Sequence, residues 1–365
     1  MRSGYPVIAL DAFGDQDLRA MAESFSLRHD FHARYGVGAL FRACRRLSYE
    51  AVAYTSNLEN HPVILERIAG RRPIIGNPPQ TIRRVRDWAA LFDRLKRAGF
   101  PVPKTIVAGE NKRPDTRRRW LVKPVRSGGG HGIDFYRAEK SPGAFRMLQE
   151  YIPGKACSAS FAANSRQCVL LGITEQLIGD RRFGSRSFRY CGNILPLPEA
   201  LRPDAGRGLL PRVRRLASFL TREYGLTGVN GMDFILKDGE VFLTEVNPRY
   251  SASMELAERA YGLQIFHIHF QACTEGRLPE FEFENQLKAG GFFGKTILYA
   301  DKDATAPDTR GWTARSIKDI PASGEKLPRG GPICTILAEA PAYDEIRAEL
   351  ILRAESLKKE IYGGA

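Results

Sequence analysis

Long apolar runs are missing from this 365-residue chain. No stretch approaches the ~18–20 residues of a bilayer-spanning helix, so no membrane partner is expected. Cysteine is scarce and scattered, at positions 44, 157, 168, 191, 273 and 334. The absence of any C-x-x-C pair removes zinc ribbons and dithiol redox motifs from consideration. The opening Met1-Arg2-Ser3-Gly4-Tyr5-Pro6 runs straight into a short apolar stretch and Asp11, unlike a secretory leader. The thiols therefore read as reduced and the protein as cytoplasmic. No G-x-S-x-G elbow and no convincing Cys–His arrangement is present, so covalent nucleophilic catalysis is not indicated. Internal repeats and low-complexity tracts are also lacking.

Acidic residues are in deficit. Lys and Arg total 55 against 41 Asp and Glu, a formal charge of +14. Such an excess suits either a nucleic acid or a small polyanionic ligand. The arginine runs at 71–72, 83–86, 117–119 and 212–215 carry no interleaved aromatics of the kind that stack on bases, which argues against nucleic acid.

What is present is an ordinary globular composition, 43% hydrophobic and 26% charged. The length suggests two or three domains. Over the first ~85 residues short apolar strands (6–10, 51–54, 73–76) alternate with helical stretches (16–25, 36–47, 62–69), which predicts a doubly wound parallel sheet. A helix over 87–98 carries Trp88, Leu91, Phe92 and Leu95 on one face. Short strands dominate from ~104 to ~195. A long helix is expected at 209–224, a hairpin around Asp238-Gly239, helices at ~252–261 and ~264–275, and an amphipathic helix at ~343–361.

Three segments carry chemistry. In Trp120–Ile133 a strand delivers Lys123 to a loop containing Gly128, Gly129, Gly130 and Gly132. Glycines let backbone N–H groups wrap phosphate oxygens, and a nearby lysine adds a point charge. A flexible hairpin reads equally well from these residues alone. His131 within the loop is either a phosphate contact or merely exposed. The second segment is Asp233 with Glu245-Val246-Asn247-Pro248-Arg249. Glu245 and Asn247, two apart on a strand, share a face. A three-residue loop at 237–239 would add Asp233 to that face, and a two-residue loop would put it on the other. Two carboxylates and an amide oxygen are hard ligands suited to Mg²⁺ bound with phosphates. Arg249 adds a fork for a carboxylate or a transferring phosphoryl group. The third is Met147–Gly154, a strand ending in a Pro-Gly break. His267 and His269, two apart on a helix, do not face one another, so a metal role there is disfavoured.

In this order and spacing the motifs resemble the ATP-grasp superfamily, in its carboxylate–amine ligase and carboxylase-like branch. The resemblance runs from Pro6 to about Cys334. It implies an α/β fold with an α+β clamp: an N-terminal doubly wound domain (1–85), a two-lobed nucleotide clamp (86–285) and a small C-terminal β-rich segment with a final helix (286–365). It implies ATP and Mg²⁺, with Mn²⁺ as a substitute, as cofactors. Lys123 would contact the α- and β-phosphates, and the 128–132 loop would close over the β- and γ-phosphates. Glu150 would bind the adenine amino group, with Tyr151 and Ile152 offering backbone groups. Asp233, Glu245 and Asn247 would hold the metal, and Arg249 would steady the acyl phosphate or the acceptor carboxylate. Two positions depart from the family pattern. Trp88 stands where a basic residue is common, with Arg86 or Arg84 as substitutes, and Cys157 stands where an acid often grips the ribose.

The chemistry so implied is ATP-dependent joining of a small-molecule carboxylate and an amine through an acyl phosphate. The positive charge suits a substrate with several carboxylates, such as glutamate or a glutamylated coenzyme precursor, and the resemblance implies glutamate addition during assembly of a methanofuran-type coenzyme. The alternatives are an ATP-grasp carboxylase or kinase, and a non-catalytic nucleotide- or nucleic-acid-binding protein. A homodimer is a further expectation of the resemblance.

Overall fold

The computed structural model describes residues 4–55, 57–108, 110, 112–137, 146–201, 208–288 and 290–363. The strongly periodic segments become helices at Val37–Cys44, Pro62–Ala69, Trp88–Arg97, Leu209–Tyr224, Met254–Tyr261, Ile265–Thr274 and Tyr343–Tyr362. Leu209–Tyr224 shows why. It buries Val213, Leu216, Ala217, Leu220 and Tyr224 at three- and four-residue spacing, and Gly225 closes it in the left-handed conformation (φ 64°).

The N-terminal region differs from the expected single sheet. Strands Ile8–Asp11 and Glu23–Ser26 form one parallel pair, and Val52–Ala53 and Ile74–Ile75 form another. The parallel pairing is present, but as two separate two-stranded sheets. The 16–25 stretch is helical only over Gln16–Met21, which buries no residue. Its remainder pairs with Ile8–Asp11 instead, a tertiary partner that local spacing does not reveal. Helix Pro79–Val85 lies within an arginine-rich run and was not expected. Proline opens it, and Thr81, Ile82 and Val85 are buried while its arginines face outward.

Three antiparallel sheets follow, one of them only the short pair Ala304–Thr305 and Lys326–Leu327; the other two carry the site. The smaller has the strand order Thr105–Ile106, Arg146–Glu150, Trp120–Pro124, Asp134–Phe135. The larger runs Glu240–Asn247, Thr227–Lys237, Lys155–Asn164, Cys168–Ile178, Tyr190–Leu195, Phe292–Tyr299, Pro332–Ala340, Ile317–Lys318. The last three strands belong to the part read as a C-terminal segment, so that segment extends the large sheet rather than standing apart. One face of this sheet is covered by helices Leu209–Tyr224 and Tyr343–Tyr362. On the other face, Met254–Tyr261 and Ile265–Thr274 cover part and leave the rest for the site.

The 227–247 hairpin resolves the loop question in an unanticipated way. Lys237 pairs with Glu240, so the loop has two residues, Asp238 and Gly239, both at positive φ (49° and 77°). That register would turn Asp233 away from Glu245. A bulge between Asp233 and Phe234 adds one residue to the facing strand: Phe234 opposes Leu243, while Asp233 opposes Glu245. The extra residue is Thr244, whose Oγ1 donates to the Asp233 carbonyl at 3.1 Å. The bulge returns both carboxylates to one face.

The N-terminal region is pinned to the large sheet by buried polar contacts. The Tyr54 hydroxyl lies 3.0 Å from the carbonyls of both Asn77 and Pro248. Asn77 Nδ2 donates to Asn230 Oδ1 at 2.8 Å. His269 accepts from the Val229 N–H at Nδ1 (2.9 Å), which leaves Nε2 to donate to the Ile75 carbonyl (2.9 Å). Burial pushes the pKa of this imidazole down and keeps it neutral.

Gly294 marks where the final helix seats on the sheet. A Cβ there would lie 2.8 Å from Leu350 Cδ1 and 2.9 Å from Ile346 Cγ1. Gly294→Ala is expected to cost about 1–3 kcal/mol by overpacking, read as a lower urea midpoint at constant slope.

Candidate functional site

The hairpin places Asp233 and Glu245 directly opposite one another, a position at which Cβ atoms lie roughly 4.5–5.5 Å apart. Two half-buried carboxylates this close do not both ionise readily without nearby positive charge. Each is managed differently. Asp233 accepts from Gln176 Nε2 (3.0 Å) and Asn247 Nδ2 (3.1 Å). Burial, reinforced by Glu245, raises its pKa to about 7. Burial also pushes Glu245 upward, but Arg86, Lys123 and Arg249 outweigh it and hold that carboxyl below its ordinary value. The closest cation is Arg86, whose NH1 donates to Glu245 Oε1 at 2.7 Å.

Arg86 sits just before helix Trp88–Arg97, and its guanidinium stacks over the Trp88 ring at 4.5 Å. Trp88 thus supports the arginine that reaches the acids. Arg84 goes elsewhere, donating to the Glu223 carbonyl at 2.8 Å. Of the two arginines considered from the sequence, the structure brings only Arg86 to the carboxylates.

Lys123 comes from the smaller sheet. Its Nζ donates to Gln149 Oε1 at 2.9 Å. Burial lowers its pKa, opposed by the charges of Glu245 and Asp233. The lysine of one lobe and the acids of the other therefore face a common space. Arg249 follows the Glu240–Asn247 strand and is almost enclosed. Its NH2 pairs with Glu59 Oε1 at 2.8 Å, and its NH1 donates to the Tyr250 carbonyl at 2.8 Å.

The 128–132 loop bridges the lobes. Gly129, Gly130 and Gly132 have φ of 60°, 73° and 72°. The loop lies so close to the large sheet that a Cβ on Gly130 would fall 1.9 Å from the Phe188 carbonyl oxygen. Tyr190 N–H donates to the Gly129 carbonyl at 3.0 Å, which fastens the loop there.

The third motif is arranged less openly. The Glu150 carboxylate is paired with Arg118 and accepts from the Lys104 N–H at 3.2 Å. A ligand amino group reaching Glu150 would compete with Arg118. The Tyr151 N–H donates to the Arg119 carbonyl at 2.9 Å, and the Tyr151 ring packs edge-on to Phe135 at 5.2 Å. Ile152 lies in the irregular stretch that follows the strand. Cys157 is fully buried, and burial pushes its thiol far up, so it is an inert core residue.

Several participants were not singled out from the sequence: Glu59, Asn60, Gln149 and Gln176. Asn60 Oδ1 accepts from Arg86 NH2 at 2.5 Å, so one short turn, Leu58–Asn60, steadies both arginines. No local signal marks this turn, because its partners lie 26 and 190 positions away. His267, bonded to the Tyr5 hydroxyl at 2.9 Å, and His269 are both structural. Among the described residues no cluster of three His, Cys, Asp or Glu could hold a metal. No helix among them is long and apolar enough to cross a membrane.

Glu59 is 2% exposed. Truncating it strands the Arg249 charge, and Glu59→Ala is expected to lower unfolding free energy by about 3–5 kcal/mol in equilibrium urea melts.

Residues 85–253 match the family described as "ATP-grasp domain". An uncharacterized protein of Methanocaldococcus jannaschii is 22% identical over 366 residues, spanning 92% of this chain and 83% of that one. Large chains of carbamoyl phosphate synthase also match, but this chain spans less than a third of their length. Among solved structures, the biotin carboxylase domain dimer of Hydrogenobacter thermophilus 2-oxoglutarate carboxylase, in complex with MgADP, ADP and bicarbonate, superposes with a TM-score of 0.65. It has 18% identity and covers 94% of this chain and 84% of that one. The L-amino acid ligase of Bacillus licheniformis superposes with a TM-score of 0.64 at 16% identity, covering 97% and 92%. Residues 85–253 are thus similar to ATP-grasp domains, and the chain shares its overall fold with these solved structures.

Proposed function

We propose that this protein is an ATP- and Mg²⁺-dependent, ADP-forming ligase that joins a carboxylate to an amine. The observation that carries the reading is the opposed Asp233–Glu245 pair with Asn247, facing Lys123 of the other lobe. Two carboxylates and one amide are too few to fill the shell of a resident metal but suit a cation whose remaining ligands are phosphate oxygens and water. The donor set therefore fits Mg²⁺ brought in with a nucleotide. When bound, it would neutralise the phosphate charge that builds up during transfer.

The chain's own groups would do the rest by position and charge. Lys123, already desolvated, would meet a phosphate in place of Gln149. The 128–132 loop would cover the terminal phosphates and exclude water from an intermediate that hydrolyses readily. A substrate carboxylate oxygen attacks the γ-phosphorus and the bond to ADP breaks. The amine then attacks the acyl carbon, the C–N bond forms, and phosphate departs with the loss of a proton. Arg249 is held between Glu59 and Asn247 where a substrate carboxylate or acyl phosphate would need a fixed cation. The domain limits at 85/86 and 285/286 belong to the same reading.

The same geometry serves a carboxylase that phosphorylates bicarbonate, the second reading, favoured by the likeness to the bicarbonate-bound carboxylase domain. The finer assignment, glutamate transfer in assembly of a methanofuran-type coenzyme, rests on the resemblance; the net charge of +14 suits only the polycarboxylate character of such a substrate.

The test is ADP release from Mg·ATP across a matrix of amines and carboxylic acids, with bicarbonate included. Release that needs both an acid and an amine supports the ligase. Release with bicarbonate alone moves the assignment to a carboxylase. No release under any pairing, despite nucleotide binding, removes the ligase reading. Glu245→Gln is expected to lower turnover about 100-fold or more with the melting profile intact. Lys123→Ala is expected to raise the KM for ATP about tenfold, and an unchanged KM would remove Lys123 from the site.

A further inference from the structure

A cleft of about 490 Å³ opens beside the glycine loop, lined by Gly130, His131, Arg186, Arg189, Asp301 and Arg329 among others. Lys123, Asp233, Glu245, Asn247 and Arg249 are not part of its lining. Its position is set by three chain segments: the glycine loop, the 184–189 turn that precedes strand Tyr190–Leu195, and the loop that precedes strand Pro332–Ala340.

The charge of this cleft is one-sided. Three guanidinium groups face a single carboxylate, and that carboxylate, Asp301, is already paired with Lys358 Nζ at 2.7 Å. Arg189 is fixed in the wall: NH1 donates to the Gly330 carbonyl at 2.7 Å, and the guanidinium lies over the Tyr299 ring at 4.9 Å. Arg186 and Arg329 are exposed and extend from different walls, and neither side chain has a protein partner among the described residues. Burial, with Arg189 beside it, pushes the pKa of His131 down, so this imidazole enters as a neutral group.

The walls are built tightly. A Cβ on Gly184 would lie 2.3 Å from the Tyr299 carbonyl oxygen, so only glycine lets the turn come this close. Ser185 Oγ donates to the Arg189 carbonyl at 2.9 Å, and Gly179 N–H donates to the same carbonyl at 2.8 Å. The arginines are thus displayed from fixed backbone. Three like charges around one cavity repel one another, and an anion between them relieves that repulsion while accepting planar, paired hydrogen bonds.

We propose that this cleft binds the anionic end of the second substrate, a phosphoester or polycarboxylate group with at least two negative charges, between Arg186, Arg189 and Arg329. Naming it the second substrate rests on the ATP-dependent reading above; the anion site does not. A ligand seated there touches the glycine loop on one side and the C-terminal strands on the other. Its binding would therefore hold the loop down over the phosphates of ATP.

The experiment titrates inorganic phosphate and, separately, tricarballylate into the full-length protein by calorimetry. Each titration is run with and without saturating Mg·AMP-PNP, which occupies the γ-phosphate position. Binding is expected to persist with the nucleotide analogue present. Arg186→Ala and Arg329→Ala are each expected to weaken it at least fivefold, with AMP-PNP affinity unchanged. Arg166→Ala, the same charge change in a remote turn, is expected to leave it as in the wild type. Tighter phosphate points to a phosphoester, and tighter tricarballylate to a polycarboxylate. Absence of anion binding, its loss when AMP-PNP is added, or equal weakening by all three variants would overturn the proposal. Failure of AMP-PNP to bind at all would sink the ATP-dependent reading while leaving the anion titration able to decide the cleft.

Discussion

Two carboxylates placed face to face inside a protein are the constraint around which this structure is organised. At an effective dielectric near 20, two like charges about 4 Å apart repel by roughly 4 kcal/mol, before any cost of burial. Asp233 and Glu245 escape it by asymmetry. Asp233 is held by two amide groups, from Gln176 and Asn247, and its pKa rises to about 7. Glu245 keeps its charge because Arg86 touches it and Lys123 and Arg249 lie near. Such an arrangement is a standing demand for positive charge, which a cation arriving with phosphates would meet.

The fold can be read as the means of supplying those neighbours. The large sheet carries the acids on adjacent strands, and the bulge at Thr244 aligns them. The smaller sheet contributes Lys123. The N-terminal region steadies Arg86 through Asn60 and restrains Arg249 through Glu59, a pair whose members are 10% and 2% exposed. A buried ion pair of this kind adds little net stability but fixes geometry, since breaking it strands a charge. The N-terminal region is therefore part of the site and more than a preceding domain. Its docking contacts, Tyr54 and Asn77 on Pro248 and His269 on Ile75, lie next to the residues it orients.

The glycine loop serves two spaces. It follows the strand that carries Lys123, and it forms a wall of the arginine-lined cleft.

Much of this was legible from residue order. Helices with a continuous apolar face, such as Leu209–Tyr224 and Tyr343–Tyr362, announce themselves because burial repeats every three to four residues. The chemistry of Lys123, the glycine loop, Asp233, Glu245, Asn247 and Arg249 was visible because residue type alone restricts what each can do. Other features were decided only by tertiary structure. The N-terminal strands pair in two short sheets because backbone partners are chosen across the fold. Asp233 reaches the right face through a bulge, although a two-residue loop by itself would turn it away. Arg86 rather than Arg84 meets the acids because Trp88 and Asn60 hold it there. Glu59 has no local mark at all, since its role exists only once residue 249 is folded against it. The sequence by itself determined which groups could bind charge; the three-dimensional packing decided which of them meet, because proximity between distant positions is a property of the whole chain.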